Sequence, residues 1–312
     1  MDINRYSPSY GISKKHLIKL ADYTTEEIFE ILYATKSIKA KFAAHERTSI
    51  LNGVTVALLF GDTSLRMRSA LEIGIRQLGG TCVSLPYSEK DMKAGENFKD
   101  IVNVISRYGV GAIVTRDIPQ DELEEFCTVS PISIINSNNA DFNPLQALCD
   151  LFTIWERMGK LEELKLAYVG KGENIAASLI MGAIKCGMEL AVATPSEYGI
   201  KHEHLTHAEQ YGNIFLTDNP VEAVRNADIV YTDNYNYHTI AKPEELEILK
   251  PYQVNNALMA IAKHNAAFMH PLPASRGIEV TEDVIDGKNS IVLEQGENRL
   301  HVIKAVLALL IK

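Results

Sequence analysis

Residues 54–64 read VTVALLFGDTS, and this stretch decides the fold. Its first seven residues are apolar and partly β-branched, which is typical of a strand buried on both faces of a parallel sheet. Residues 61–64 end the strand, and Leu71, Ile75 and Leu78 then recur at helical spacing. A strand followed by a helix is the repeating unit of an α/β fold.

The same unit recurs along the rest of the chain. Thr24 and Glu27 form a capping box before a first amphipathic helix. Further strands are predicted at residues 81–85, 112–115, 132–135, 164–169, 189–193, 213–216, 228–232 and 267–270. Helices are predicted between them, notably at residues 144–158, 175–186, 221–226 and 298–311.

We therefore predict an α/β protein with two doubly wound parallel-sheet domains. The first domain comprises residues 1–143 and 298–312, and the second comprises residues 144–297. A connecting helix joins the domains, and the C-terminal helix crosses back to the first domain. No internal repeat or low-complexity tract stands out.

The composition agrees with two folded domains, since 312 residues suit ~100–200 residues per domain. Lysine and arginine number 31 against 40 acidic residues, and the net charge of −9 argues against nucleic acid or an anionic membrane as a partner. The four cysteines are far apart, and no stretch approaches the ~18 apolar residues of a membrane span or signal core. We expect a cytoplasmic location.

Basic side chains follow two of the predicted strands where each strand ends. Ser64, Arg66 and Arg68 lie on the first turn of a helix, and Arg116 directly follows residues 112–115. Arginine opposes the macrodipole at a helix N-terminus unless an anion is bound there. The pattern indicates a small-anion site, and the alternative is surface pairing of both helical arginines with nearby acids.

These residues and others in chain order resemble the aspartate/ornithine carbamoyltransferase family, and the ornithine branch more closely. The resemblance covers nearly the whole chain. Its motifs are the phosphate loop S-T-R-T-R at 64–68 (SLRMR), the mobile loop K-x-x-E-S at 93–97 (KAGEN) with Asp100, the strand-end Arg116, H-P-x-Q at 143–146 (NPLQ), H-P-L-P at 270–273 and E-N-R-x-H at 297–301.

The resemblance implies that the first domain binds carbamoyl phosphate. Arg116 would hold phosphate and polarise the carbamoyl carbonyl, and Arg299 would close the site. Gln146 and the Leu272 carbonyl would hold the carbamoyl NH₂ group. The binding residues implied are Ser64, Leu65, Arg66, Met67, Arg68, Arg116, Asn143, Gln146, Leu272 and Arg299, of which Arg116, Asn143 and Arg299 are catalytic.

The second domain would bind an amine, with ornithine as the expected acceptor. The residues implied for this site are Asn174, Asp233, Tyr237, His238 and Leu272. The family forms homotrimers, and Lys93 would reach a neighbouring subunit's site. The expected partners are carbamoyl phosphate and the amine, with no metal and no organic cofactor.

Three positions depart from the family pattern. Leu65 and Met67 replace the two threonines of the phosphate loop, and Asn143 replaces a histidine that donates to the carbamoyl oxygen. Loss of one such donor costs ~10²–10³ in rate in other enzymes. In the second domain, residues 234–239 after Asp233 read NYNYHT and lack the Ser-Met-Gly of the ornithine branch. The alternatives are therefore a different amine acceptor, or a weakened or non-catalytic relative that binds a small anion.

Two patterns suggest other classes of function. Gly170 and Gly172 follow a strand and open a helix, as in dinucleotide-binding oxidoreductases, although Ile175 stands where that fingerprint has its third glycine. His204 and His207, close to His202, are spaced to share a metal ion on a helix, although such polar stretches are more often solvated.

Overall fold

The computed structural model describes residues 1–60, 64–87, 97–212, 214–235 and 242–311. These divide into two compact units. The N-terminal unit comprises Ser7–Phe152 and Arg299–Lys312, and the C-terminal unit comprises Met1–Tyr6 and Thr153–Asn298. Among the described helices, none combines the length and hydropathy of a membrane span.

The N-terminal unit contains a four-stranded parallel sheet in the order β2-β1-β3-β4. Its strands are β1 (Thr55–Phe60), β2 (Thr81–Pro86), β3 (Val110–Arg116) and β4 (Ser133–Asn138). Its own helices are α1 (Thr25–Ala43), α2 (Leu65–Gln77), α3 (Phe98–Arg107) and α4 (Gln120–Cys127). Residues 56–60 of β1 are all buried, as expected for a strand covered on both faces.

The C-terminal unit contains a five-stranded parallel sheet in the order β7-β6-β5-β8-β9. Its strands are β5 (Lys165–Val169), β6 (Glu189–Ala193), β7 (Ile214–Thr217), β8 (Ile229–Tyr231) and β9 (Ala267–Met269). Its own helices are α6 (Asn174–Lys185), α7 (His202–Ala208), α8 (Pro220–Val224), α9 (Pro243–Leu249), α10 (Asn256–Met259) and α11 (Glu282–Ile285).

Two long helices contain the points at which the chain passes between the units. These are α5 (Pro144–Met158), which has the predicted bounds of the connecting helix, and α12 (Val292–Leu310). The last helix starts six residues before the predicted residue 298. The prediction missed its first turn because residues 293–297 read LEQGE and carry no apolar periodicity. Leu293, the apolar residue of that stretch, is exposed to solvent.

The predicted fold class is confirmed. Each of the nine predicted strands is present, with ends within two or three residues of the predicted ones. The Thr24 capping box also forms: Glu27 N donates to Thr24 Oγ1 (3.2 Å), and Thr24 N donates to Glu27 Oε2 (3.1 Å).

The segment before α1 is attached to the edge of the N-terminal sheet. Leu17 forms a parallel bridge with Ile135, and Ile134 N donates to His16 Nδ1 at 3.1 Å. Burial lowers the pKa of His16 to about 4, with the charge of Lys15 acting in the same direction. Histidine is therefore held in its neutral form, in which Nδ1 accepts the hydrogen bond.

We predict that the His16→Gln variant loses less stability than the wild type on acidification. The unfolded chain takes up a proton near pH 6.5, whereas folded His16 does so only near pH 4, so wild-type stability falls as the pH drops through this window. With allowance for solvent screening, the expected difference between pH 7.5 and 5 is on the order of 1 kcal/mol in urea unfolding. Equal dependence of the unfolding free energy on pH in the two proteins would contradict the prediction. A comparison at pH 8, where His16 is neutral in both the folded and the unfolded chain, measures the effect of the lost hydrogen bond alone.

Candidate active site

The N-terminal sheet reverses its strand order between β1 and β3. Arg116, the last residue of β3, is in register with Phe60 at the end of β1 and with Asn138 at the end of β4. Neighbouring strands lie ~4.8 Å apart, so the ends of these strands share one edge. The carboxyl edge at such a reversal is where open α/β sheets bind ligands.

The N-terminus of α2 follows β1 at this edge and has the features of an anion site. Ser64 is the N-cap residue, and its hydroxyl makes no capping hydrogen bond. The first helical bond runs from Arg68 N to Ser64 O (2.9 Å), so the preceding amides of the helix have no helical acceptor. Arg66 is exposed, and the Arg68 guanidinium lies 5.8 Å from the centre of the Phe60 ring.

The two departures in this turn have different environments. Leu65 is 78% exposed, whereas Met67 is 3% exposed and packs into the interior. Neither side chain carries a hydroxyl, so the donors of this turn are the amides without a helical acceptor, Ser64 and the two guanidiniums. Among the described residues Arg68 has no carboxylate within ion-pair distance, and Glu72 instead accepts from Ser84 Oγ at 3.2 Å.

One ion pair and two hydrogen bonds join Arg116 to Asn143. Arg116 Nε lies 3.4 Å from Asp117 Oδ2, and Asn138 Nδ2 donates to Asp117 Oδ1 at 3.2 Å. Asn143 Nδ2 donates to Asn138 Oδ1 at 2.9 Å, and Asn143 Oδ1 accepts from Gln146 N at 3.2 Å. Asn143 is therefore the N-cap of α5, a position that favours asparagine.

Gln146 and Arg299 lie together in the interior of the N-terminal unit. Arg299 Nη2 donates to Gln146 Oε1 at 2.5 Å, and Gln146 Nε2 donates to Asp150 Oδ1 at 2.6 Å. All three side chains are buried, and Asp150 supplies a negative charge near the buried guanidinium. The amide of Gln146 is thereby oriented, and its oxygen retains a second lone pair for a ligand NH group.

The C-terminal sheet reverses its strand order between β5 and β8. Thr232 Oγ1 donates to Val169 O at 2.7 Å, which ties the ends of these two strands together. Asn174 at the start of α6 and Asp233 after β8 are both buried. Burial raises the pKa of Tyr168, and the charge of Asp233 contributes to that rise. A carboxylate and an amide thus lie in the two loops of this reversal.

The turn after β9 presents a backbone carbonyl. Leu272 has a φ of +54°, its peptide bond to Pro273 is cis, and Leu272 N donates to His270 Nδ1 at 2.9 Å. His270 is fully buried, with its Nε2 3.3 Å from Glu279 Oε1. Asn234 Nδ2 donates to Pro273 O at 2.7 Å. In the described part of the chain no donor lies on the Leu272 carbonyl, which is therefore available to a ligand NH group.

The predicted site residues fall into separate groups. Residues 64–68, Arg116, Asn143, Gln146 and Arg299 lie in the N-terminal unit, and Asn174, Asp233 and Leu272 lie in the C-terminal unit. Lys93, Tyr237 and His238 lie outside the described residues. The site assignment of each remains a prediction.

Sequence reasoning missed four supporting residues. Asp117, Asn138 and Asp150 contact the predicted residues Arg116, Asn143 and Gln146 directly. Glu279 lies beside His270, which accepts a hydrogen bond from Leu272 N. Of these, only Asp150 had a local signal, since it follows Gln146 by four residues on one helix.

The glycine pattern after β5 has a packing explanation. A Cβ on Gly172 would lie 2.6 Å from Ile200 N, and Gly172 N donates to Tyr198 O at 2.8 Å. Gly170 has a φ of +127°, and a Cβ there would lie 2.8 Å from Tyr235 Cε1. The space that a pyrophosphate would need above these glycines is filled by the chain itself, so the dinucleotide reading loses its basis.

Of the three histidines of α7, His202 is exposed, and His204 and His207 are half-buried. His202 Nε2 lies 3.4 Å from Thr206 Oγ1, and the His207 ring lies 6.2 Å from that of Tyr211. Across the described ranges no three histidine, cysteine, aspartate or glutamate side chains converge in an arrangement that would hold a metal ion.

Two family models match the chain. The model described as aspartate/ornithine carbamoyltransferase, carbamoyl-P binding domain, matches residues 15–156. The model described as aspartate/ornithine carbamoyltransferase, Asp/Orn binding domain, matches residues 162–310. The two matches together account for most of the chain.

Individual proteins match over nearly their whole length. The chain is 40% identical over 300 residues to an ornithine carbamoyltransferase of Caldicellulosiruptor saccharolyticus, with 94% of this chain and 97% of the relative covered. It is 41% identical over 304 residues to one of Anoxybacillus flavithermus, with 95% and 96% covered. The solved ornithine carbamoyltransferase of Pyrococcus furiosus has a TM-score of 0.91 at 39% identity, with 95% of this chain and 97% of that one covered.

The packing of Gly172 generates a prediction with a matched control. Gly172→Ala forces a Cβ against backbone and is expected to lower the free energy of unfolding by about 1–3 kcal/mol. Gly296→Ala lies in α12 with nothing within 4 Å of the new Cβ, and is expected to raise it by about 0.4–1 kcal/mol. Urea unfolding measures both, and a neutral Gly172→Ala variant would show that the Ile200 segment is not packed as described.

Proposed function

Because the chain belongs to the aspartate/ornithine carbamoyltransferase family, we propose that it transfers the carbamoyl group of carbamoyl phosphate to ornithine, giving citrulline and phosphate. The observation that carries the proposal is the position of Arg116 beside the strand that leads into the N-terminus of α2. Both features lie at the strand-order reversal of the unit that matches the carbamoyl phosphate-binding model.

Carbamoyl phosphate is a small dianion, and the groups at this edge suit it. The first-turn amides of α2, the Ser64 hydroxyl and Arg66 bind the phosphate oxygens, as helix N-termini do for anions generally. Arg116 bridges the phosphate and the carbamoyl oxygen. Bound phosphate also removes the unfavourable interaction between two arginines and the positive end of the helix dipole.

The reaction requires positioning and stabilisation of developing charge. The neutral amine nitrogen of ornithine attacks the carbonyl carbon, and the C=O electron pair moves to oxygen to form a tetrahedral oxyanion. The oxyanion then collapses, the C–O bond to phosphate breaks, and the amine proton leaves with the phosphate. Arg116 and the Asn143 amide donate to the oxyanion, a role in which preorganised donors contribute most.

The carbamoyl NH₂ group needs acceptors, and two are available. Gln146 Oε1 accepts from Arg299 and has a lone pair left, and the Leu272 carbonyl has no donor in the described residues. Arg299 acts through this contact, since it fixes the orientation of the Gln146 amide.

Ornithine recognition is assigned to the C-terminal unit. Buried Asp233 pairs with the α-ammonium group, and Asn174 binds the α-carboxylate through its amide. The relatives named above are ornithine carbamoyltransferases, which supports ornithine over other amines. Tyr237, His238, the neighbouring-subunit contact of Lys93, the homotrimer and the cytoplasmic location stay predictions from the resemblance.

A weakened or altered activity is the second candidate, because the oxyanion donor and the phosphate-loop hydroxyls differ. Met67 is buried and Leu65 carries no donor, so neither replaces the missing hydroxyls. Asn143 donates to Asn138, and its amide is a neutral donor without the positive charge that a protonated histidine would carry.

We predict that Arg66→Ala and Arg116→Ala each weaken carbamoyl phosphate binding by about tenfold to hundredfold, since a charge-assisted hydrogen bond contributes ~1.5–3 kcal/mol. Thermal unfolding measures this, because ligand at ~100 times its dissociation constant adds ~2.7 kcal/mol of apparent stability. Phosphate and sulfate serve as ligand controls. Arg107→Ala, an exposed arginine on α3, is the matched variant and should retain the full shift. An undiminished shift in both site variants would refute the assignment.

We predict that Asn143→His raises kcat for citrulline formation by about tenfold or more, because it supplies a chargeable donor to the oxyanion. Asn143→Ala, which removes the side-chain donor, should lower kcat, and loses ~1 kcal/mol of stability from the N-cap of α5. Citrulline is measured by mass spectrometry over a panel of amines. If carbamoyl phosphate binds but no variant forms a ureido product with any amine, the non-catalytic alternative holds.

A further inference from the structure

A second cationic site lies at the other end of α2 from the phosphate-binding turn. Helix α2 has 13 residues and rises ~1.5 Å per residue, so Arg66 on its first turn and Gln77 at its last residue are about 16 Å apart along the axis. The C-terminal end of α2 leads into β2 and lies at the amino edge of the sheet. Its residues take no part in the site proposed above.

A cavity of about 400 Å³ opens at this end of the N-terminal unit. It is lined by α1, α2, α12 and the segment that follows α1. The charged side chains in its wall are Arg47, Arg76 and Lys304 against Glu46 alone, an excess of two positive charges with neutral histidine. The volume is within the ~300–1,000 Å³ of small-molecule sites.

Lys304 is the buried cation in the wall of this cavity. Its side chain on α12 is 2% exposed, and Nζ donates to Gln77 Oε1 at 3.1 Å. Nζ also lies 5.0 Å from the centre of the Phe42 ring. Within the described ranges no carboxylate lies within 4 Å of Nζ, so one neutral amide oxygen faces a group that has three donors.

Burial of this kind is costly without a counter-charge. Desolvation lowers the pKa of Lys304, and no acidic group opposes the effect. Buried ammonium groups are normally paired, because an isolated buried charge costs several kcal/mol. An anion in the cavity would pair with Nζ and relieve that cost.

The cavity wall is held in place by contacts around α2. Leu51 N donates to Leu78 O at 2.8 Å, and Thr48 Oγ1 donates to Gln77 O at 3.4 Å. A Cβ on Gly79, which has a φ of +82°, would lie 3.3 Å from Ser49 Cα. The segment that carries Arg47 is therefore packed closely against the end of α2.

We propose that this cavity binds a metabolite-sized dianion, a phosphate monoester or a dicarboxylate, through Lys304 and the arginines Arg76 and Arg47. Its charged group pairs with Nζ of Lys304 in the interior and with the arginines nearer the surface. The Phe42 ring provides apolar contact for the rest of the molecule. The site is separate from the carbamoyl phosphate site and does not depend on the proposed reaction.

The test is titration calorimetry of the full-length protein with glycerol 3-phosphate and with succinate, at constant ionic strength. Glycerol serves as the uncharged probe. The variants are Lys304→Met, which keeps the buried stem, and Arg76→Gln, which changes an exposed residue and leaves the core intact. Lys41→Met removes an exposed lysine of α1 that does not line the cavity, and controls for net charge.

The expected result is binding of at least one dianion that weakens about tenfold or more in Lys304→Met and in Arg76→Gln, and is unchanged in Lys41→Met. The better of the two probes identifies the phosphate or the carboxylate source. Should Lys304→Met fail to fold, Arg76→Gln alone decides.

The proposal is overturned if neither dianion binds, or if binding is the same in both cavity variants as in the wild type. Arg116→Ala separates the two sites: binding lost in Arg116→Ala and retained in Lys304→Met would assign the anion to the carbamoyl phosphate site. Retention of dianion binding in Arg116→Ala together with failure of carbamoyl phosphate to bind the wild type would refute the proposed function and leave the cavity site standing.

Discussion

The reversal of strand order in each parallel sheet is the constraint on which the candidate site depends. At β1/β3 and at β5/β8 the chain leaves two neighbouring strands toward opposite faces, so the carboxyl ends there are left uncovered by a crossover. Each exit leads toward a helix whose first amides have no acceptor within the helix. Residues far apart in sequence, such as Ser64 and Arg116, are brought to one edge by this rule alone.

The candidate ligand groups at this edge are oriented by ion pairs and hydrogen bonds to side chains behind it. Asp117 and Asn138 link Arg116 to Asn143, and Asp150 holds the Gln146 amide that accepts from Arg299. A buried guanidinium destabilises the fold unless it is paired. Arg116 lies beside the Asp117 carboxylate, and Arg299 is connected to the Asp150 carboxylate through the Gln146 amide. Side chains held in this way need little reorganisation when substrate charge develops, which is the basis of electrostatic catalysis.

The sequence predicted the elements well, because strands such as Glu189–Ala193 and helices such as Pro144–Met158 are determined by local periodicity and by nearby turn residues. The candidate ligand groups were also predictable, since they lie in short motifs at strand ends. Asn138, Glu279 and Lys304 were not: each acquires its role from a partner brought close only by the fold, as Lys304 does from Gln77, 227 residues earlier. No periodicity or spacing within one segment encodes such a contact.

The departures at Leu65, Met67 and Asn143 have unequal physical weight. Met67 is buried, so its side chain contributes apolar burial to the helix and its backbone amide still faces the free end. The charged donors of the proposed phosphate site are retained in Arg66, Arg68 and Arg116, and charge-assisted bonds are about twice as strong as neutral ones. Ground-state binding of the dianion therefore rests mainly on groups that are present. The oxyanion of the proposed reaction forms only during turnover, and its proposed donor at Asn143 is a neutral amide that already donates to Asn138. We therefore expect the affinity for carbamoyl phosphate to be affected less than the turnover rate. Leu65 and Met67 act on substrate binding, whereas Asn143 acts on the chemical step.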